Sequence, residues 1–567
     1  MNVGRPFYSA DWGDYVSFTT RMREKAEAEG RDLLVIDTGD RVEGNGLWDS
    51  SEPKGVYVSE ILRQQPIDIL TVGNHELYKQ YTSEAEFFNT VRNFRGHYLA
   101  SNVDIVHPTT KDVVPLAPRY KKFTTEQQGI RIVAFGFIFD FTMNYNNTVV
   151  QAVEDTVKED WFWEAVQDTD VDLILVTGHV PVRSKESDAI FRAIRSARWD
   201  VPIQFLGGHY HIRDYVQYDS RAYGLASGRF METVGFMSID GLSTSSNPTK
   251  SAVSNPRFNR RYIDNNLYSY YHHTGLDEHE FHTEHGRNTS RLIEQSRSEL
   301  QLDQVYGCVP RNLWLSRVKY PSKNNIYAWL EKQVLPEALK DDSRNGKPAL
   351  AIINTGAIRF DIFKGPFTQD SIYIVSPFTS GFRYLKDIPY DKAQLVVHFL
   401  NKQHEVLVET QHRSHSPAWT LAPPEQSAYS QDVVVSDDTG DGLWDDRVLE
   451  GGQALLSSNS HPKPKVLPGY TTKDDGGSDG DDTMHSPISS YKVPNCIQSL
   501  VSSNMSAAVD TVDMVYIDFI ERHITTAAKL AGLDIDVSQN SDVYMPSTSF
   551  TSLILGWVKD NWSCDAA

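Results

Sequence analysis

Basic residues are scarce in this sequence: 55 lysines and arginines face 75 aspartates and glutamates, for a formal charge of −20. Binding to a nucleic-acid polymer rests on a basic footprint, so that class of partner is excluded. A small anionic ligand stays compatible where a metal or local arginines reverse the potential. Cysteine is also rare. Cys308, Cys496 and Cys564 allow at most one internal disulfide and leave one thiol over, which excludes a disulfide scaffold. No apolar run approaches the roughly 18 residues that span a bilayer. The C-terminal "LILGWV" is too short for a lipid-anchor signal, and "MNVGRPFYSADWGDY" lacks the basic start and apolar stretch of a signal peptide.

What is present is an ordinary globular composition, 40% hydrophobic and 23% charged, in a 567-residue chain too long for one core. Residues 16 to 240 alternate between helical and strand-like patterns. "VSFTTRMREKAEAEG" places Phe18, Met22 and Ala26 on one helix face and stops at Gly30. Strands are expected at "DLLVID", "DILTVG", "IRIVAFGFIF", "VDLILVTG" and "VPIQFLGG", with helices between several of them. Such runs, apolar on both faces, belong to a sheet covered by helices. "YGLASGRFMETVGFMSID" alternates like an antiparallel ribbon, and residues 241 to 256 read as an exposed connection. A helical region around residues 278 to 300 leads to a second α/β stretch near residue 305. Within that stretch "PALAIINTGAIRFDIFKGPFTQDSIYIVSPF" reads as a buried strand, a glycine turn and another apolar strand. Residues 410 to 490, rich in Ser, Pro, Gly and Asp, read as long loops.

Four strand ends carry candidate ligands: Asp40 in "DTGDRVEG", Asn74 and His75 in "TVGNHELY", His179 in "VTGHVP", and His209 with His211 in "LGGHYHIRD". Each follows an apolar run and a glycine, so each side chain can emerge on one edge of a sheet, where α/β proteins bind ligands. A lone Asp-Gly pair is an ordinary turn. Four such ends together are not. Oxygen and imidazole ligands suit zinc, manganese or iron, and two ions about 3.5 to 4 Å apart can hold a phosphoryl group and generate hydroxide between them.

At these residues the sequence resembles the calcineurin-like metallophosphoesterases, and within them the 5′-nucleotidase family. "NTGAIRFDIFKG" followed by "VSPF" is similar to that family's C-terminal nucleotide-binding domain. The resemblance implies an α/β architecture: a four-layer αββα metallophosphoesterase domain over residues 1–256, a connecting segment over 257–304, and a 5′-nucleotidase-type domain over 305–567. It also implies two divalent ions, Zn, Mn or Fe. Asp40 would bridge them, Asn74, His179 and His209 would complete one site, and His211 would serve the other. His75 would stabilise charge on the phosphoryl group, while Asn354, Arg359 and Phe378 would hold the nucleotide.

The sequence departs from the family pattern at several places. The opening Asp-x-His motif is absent, since His75 is the first histidine; "SADWGDY" offers only Asp11 and Asp14. The first ion is therefore expected to bind weakly, and an upstream segment is expected to carry the motif and a signal peptide. After "GNHE" the family's Phe-Asp, whose aspartate orients the histidine, is Leu77 and Tyr78. Its Gly-Asn after "PF" is Thr379 and Ser380, and the second aromatic of the base clamp has no match; "TTKDDGGSDGDDTMHSP" is a candidate for that region.

The function expected is hydrolysis of nucleotide phosphomonoesters, with a cyclic-nucleotide or nucleotide-sugar hydrolase as the alternative on the same metals. A non-catalytic glycosylated binding protein is the alternative of another class. Sequons at Asn146, Asn288, Asn504 and Asn561 point to the secretory pathway, extracellular or vacuolar. The sequence leaves the oligomeric state open. His279, His282 and His285 beside glutamates read as a solvated helix face, and "DDTGDGLWDD" as an acidic loop, because Val448 stands where a calcium loop needs its closing glutamate.

Overall fold

A computed structural model of the chain describes residues 9–242, 256–402 except 345, 421–428, 472–501 except 478 and 486–488, and 509–564. Asn504 and the "DDTGDGLWDD" stretch lie outside them. The first helix, Trp12–Ala28, begins ahead of the expected Val16 because Asp11 and Asp14 form a reciprocal capping box at its start. The apolar run before Asp40 makes a shorter strand than expected. Only Ile36–Asp37 pairs, parallel to Ile69–Thr71, which pairs with Tyr98–Leu99. Val35 instead bonds with Asp68: its amide donates to the carboxylate at 2.7 Å, and its carbonyl accepts from the Asp68 amide at 2.9 Å.

The larger sheet has seven strands, in the order Thr472–Asp474, Arg213–Asp219, Ala222–Ser227, Ile203–Gly207, Leu173–His179, Arg131–Ile138 and Tyr120–Thr124. Arg131–Ile138, Leu173–His179 and Ile203–Gly207 run parallel, so their C-terminal ends share one edge. One apolar cluster joins the two sheets, with Leu70 and Val72 against Phe135, Phe137 and Val176, and takes in Ile190 and Ile194 of helix Lys185–Ala197. Residues 223 to 240, expected to form one ribbon, divide instead. Ala222–Ser227 enters the large sheet, while Thr233–Asp240 pairs antiparallel with Arg257–Asp264. Left-handed backbone at Gly228, Phe230 and Met231 redirects the chain between them.

The expected helix near residue 278 starts at Glu284, where the Thr283 side chain accepts from the Gly286 amide, and runs to Glu299. Residues 279 to 282 therefore form no helix face; His282 Nδ1 lies 3.2 Å from Asp14 and His285 Nε2 2.7 Å from the Gln64 carbonyl.

In the C-terminal domain a five-stranded sheet runs Cys496–Val501, Ala349–Asn354, Thr511–Ile517, Gly381–Pro389 and Asp542–Ser549. Its alternation is two-sided. Ala349, Ala351 and Ile353 face a cluster with helix Phe550–Asn561, whereas Leu350 and Ile352 face helices Tyr390–Asn401 and Glu521–Leu530. The expected apolar strand at "SIYIVSPF" is corrected: Gln369–Val375 is a helix, started by a Thr368–Ser371 capping box. Cys308 and Cys564 form a disulfide, and Cys496 is buried and free.

The described residues of 472 to 485 lie on the N-terminal domain rather than in the base pocket. Thr472–Asp474 adds a parallel strand beside Arg213–Tyr215, and the Tyr262 amide donates to the Gly480 carbonyl at 2.8 Å. The segment's acids meet arginines from that domain: Asp474 and Asp479 with Arg260 at 2.8 and 2.6 Å, Asp475 with Arg183 at 3.0 Å, Asp481 with Arg213 at 2.5 Å.

Candidate active site

The loops after the strand ends are held by one buried carboxylate. Glu76 accepts from the amides of Asp40, Arg41 and Gly73 at 3.0, 2.6 and 2.7 Å, tying the first ligand loop to the second. The approach is close enough to require glycine at position 73, where a Cβ would stand 2.2 Å from Asp40 Oδ1. Asp40, His209 and His211 all hold left-handed backbone, at φ 62°, 74° and 56°. Non-glycine residues keep such strain where surrounding structure fixes them, and functional sites are where it collects.

The side chains converge. Ligand atoms of Asp40, His179 and His209 lie within 4.8 Å of one another. His179 Nε2 is 2.9 Å from Asp40 Oδ2, while its Nδ1 lies 3.0 Å from the Thr38 carbonyl. A carbonyl only accepts, so Nδ1 carries the proton and Nε2 points at the acid. His209 stacks on Phe139, ring centroids 4.1 Å apart. Asn74 donates through Nδ2 to the Tyr78 hydroxyl at 3.2 Å, which leaves its buried Oδ1 without a hydrogen-bond partner among the described residues. The buried Nδ1 of His211 likewise has none; a Glu425 carboxylate oxygen is 3.9 Å away.

Charge follows from this packing. Burial pushes the Asp40 carboxyl up, but His179 and His75 outweigh it and hold it well below the usual range. Burial opposes a proton on His179, yet Asp40 raises it. Burial, then Arg359 and Arg229, hold His211 well below an ordinary histidine, so it stays neutral, the form that ligates a metal. Carboxylate and imidazole donors with an unspent amide oxygen fit a divalent ion.

Asp40, Asn74, His75, His209 and His211 line a cavity of about 530 Å³, and His179 lies behind Asp40. The opposite wall comes from the C-terminal domain and includes Asn354, Arg359 and Phe378. The Phe378 ring lies 5.9 Å from His75 at 17° and carries the Arg359 guanidinium 4.9 Å from its centroid. Asn354 Oδ1 and Arg359 Nη1 are buried without hydrogen-bond partners among the described residues. Every expected site residue thus belongs to one locality.

Residues 9–213 match the calcineurin-like phosphoesterases, and residues 312–525 match the C-terminal domain of NAD nucleotidases. A crystal structure of 5′-nucleotidase from Candida albicans is similar at 36% identity and a TM-score of 0.83, over 99% of this chain and 95% of that one. The chain belongs to the 5′-nucleotidase family. As such it is a metallophosphoesterase, a hydrolase acting on ester bonds, in a fold that implies divalent metals. A secreted protein of Arthroderma benhamiae is 36% identical over 548 residues, covering 90% of this chain and 81% of that protein. An uncharacterised protein of Schizosaccharomyces pombe is 36% identical over 541 residues, 92% and 81%. Among the described residues no helix is long and apolar enough to cross a membrane.

Two residues of this nucleotidase-family cavity escaped the sequence reading. Phe519, 39% exposed, lines the wall beside Phe378 and lies 5.9 Å from Tyr78. Its signal was an aromatic two residues after the apolar strand Thr511–Ile517. Glu43 meets His75 Nδ1 at 2.9 Å, and no spacing in the sequence announces it.

Proposed function

We propose that the protein hydrolyses the phosphate monoester of a nucleotide. The observation that carries the reading is the shared cavity: Asp40 and His209 on one wall, converging with His179 behind them, and Arg359 and Phe378 on the other. Asp40 would bridge two divalent ions, with Asn74, His179 and His209 on one and His211 on the other. Two such ions, when bound, supply Lewis acidity to the phosphoryl oxygens and a water activated for attack.

The chain's own residues do the rest. Phe378 and Phe519 offer flat faces for a base, and stacking accepts any base. Arg359 offers a planar fork to an anionic or hydroxyl oxygen, and Asn354 Oδ1 accepts from a sugar or base donor. His75, at the floor between them, donates from Nε2 to the phosphoryl group as charge develops there. The Cys308–Cys564 disulfide, together with exposed Asn146, Asn288 and Asn561, supports a secretory route.

Hydrolysis of AMP, read as phosphate released, and of a cyclic nucleotide and a nucleotide sugar, read as nucleoside monophosphate formed, with manganese or zinc and His209→Ala as the blank, tests this. Turnover of AMP above the blank and above the other two is expected. Turnover confined to the cyclic or sugar-linked substrate would overturn the monoester reading, and none at all would leave a binding protein.

A further inference from the structure

His75 is held on two sides. The Tyr78 ring meets it edge-on, centroids 5.3 Å apart at 80°, and offers no carboxylate. On the other side Glu43 Oε2 lies 2.9 Å from Nδ1. The Glu43 side chain is only 4% exposed, and its second oxygen accepts from Lys79 Nζ at 2.6 Å. Each carboxylate oxygen has one partner, so the group cannot swing away without leaving a buried charge unpaired.

The backbone is arranged to present it. Glu43 adopts left-handed backbone at φ 65°, followed by Gly44 at 89°. The turn is fixed from behind by Asp49, whose Oδ2 accepts from the amides of Gly44 and Asn45 at 2.9 and 3.1 Å. A glutamate in that conformation is costly, and here the cost brings a carboxylate to one ring nitrogen.

We infer that Glu43 is the positioning residue of His75: it accepts the Nδ1 proton, fixes the ring plane, and turns Nε2 toward the phosphoryl site. Nε2 is the nitrogen on the Asp40 side, 4.0 Å from Oδ2. With Nδ1–H committed to Glu43, Nε2 is the ring nitrogen left to face the cavity and the phosphoryl group. Lys79 balances the carboxylate from outside. The inference rests on the proposed function for its catalytic part, but not for the geometry of the ring.

Two measurements test it, and they fail separately. The first needs no turnover: ¹⁵N chemical shifts of the His75 ring in the metal-free protein, wild type against Glu43→Ala. A hydrogen-bonded Nδ1–H is expected in the wild type, and its loss or weakening in the variant. An unprotonated Nδ1 in the wild type, or the same pattern in both, would overturn the inference.

The second is kinetic, on the metal-loaded protein with AMP. Glu43→Ala should lower kcat about 100-fold with KM within about threefold, the lower range for a positioned acid–base group. Glu43→Asp should recover part of the loss. In a His75→Ala background Glu43→Ala should add nothing, because the two act as one unit. An equal loss in both backgrounds would make Glu43 merely structural. A wild type that fails to release phosphate would instead sink the proposed function and leave the ring measurement standing.

Discussion

Two clusters of aspartate and histidine on the N-terminal domain are built on opposite rules. On the 472–485 segment, Asp474, Asp475, Asp479 and Asp481 each meet an arginine, and Asp482 meets His273 Nε2 at 3.1 Å. Around Asp40 there is no such matching: its partners are histidines, and Asn74 Oδ1 and His211 Nδ1 are left unspent. The left-handed backbone falls at Asp40, Glu43, His209 and His211, and at none of the described residues of the acidic segment other than a glycine. A cluster that holds the fold together satisfies its own groups, whereas a cluster meant for a ligand keeps donors and strain in reserve.

The comparison breaks first at the ligands. His209→Ala should cost at least about 100-fold in phosphate release and lower the bound metal measured by elemental analysis, while the melting temperature of the metal-free protein holds. A large fall in metal-free stability would mean that His209 serves packing against Phe139.

The opposite result is expected on the acidic segment. Arg260→Ala strands Asp474, whose side chain is 3% exposed, and should destabilise by about 3 kcal/mol in urea melts. Below the melting transition kcat for AMP should stay within about twofold of wild type, because no described residue of 472–485 lines the cavity. Loss of turnover in the folded variant would tie the segment to the site and erase the contrast.

How much of this the sequence disclosed depends on the range of the interaction. The ligand ends were legible because a parallel sheet places Gly178-His179 and Gly207-Gly208-His209 on one edge whatever the rest of the chain does. The two-sided C-terminal sheet was legible for the same local reason: Ala349 to Ile353 is apolar at every position. What stayed hidden is settled at a distance. The match of Arg183, Arg213 and Arg260 to acids more than two hundred residues later exists only in the fold. Glu43 reaches His75 because of a left-handed turn, and Gln369–Val375 became a helix because one threonine caps it, overriding a strand-like composition.

On the base side of the cavity the expected effects are smaller. Phe519→Ala should raise KM for AMP about tenfold with little change in kcat, the loss of one stacking face. Phe378→Ala should do the same and also release its contact with Arg359. A fall in kcat at constant KM would move Phe519 out of ground-state binding and into the positioning of His75 through Tyr78.

The smallest effect is a proton. His523 is buried in the cavity wall, and burial, then Arg522, pull its imidazole down to about 4. In the unfolded chain the ring titrates near about 6.5. Folding therefore excludes a proton between those values, so the contribution of His523 is complete above the unfolded value and is lost as pH falls toward 4. Between pH 6.5 and 5.5 this amounts to about 1 kcal/mol. Other groups titrate in that window, so the readout is a difference: His523→Gln should flatten the stability curve by that amount, with curves converging above pH 7.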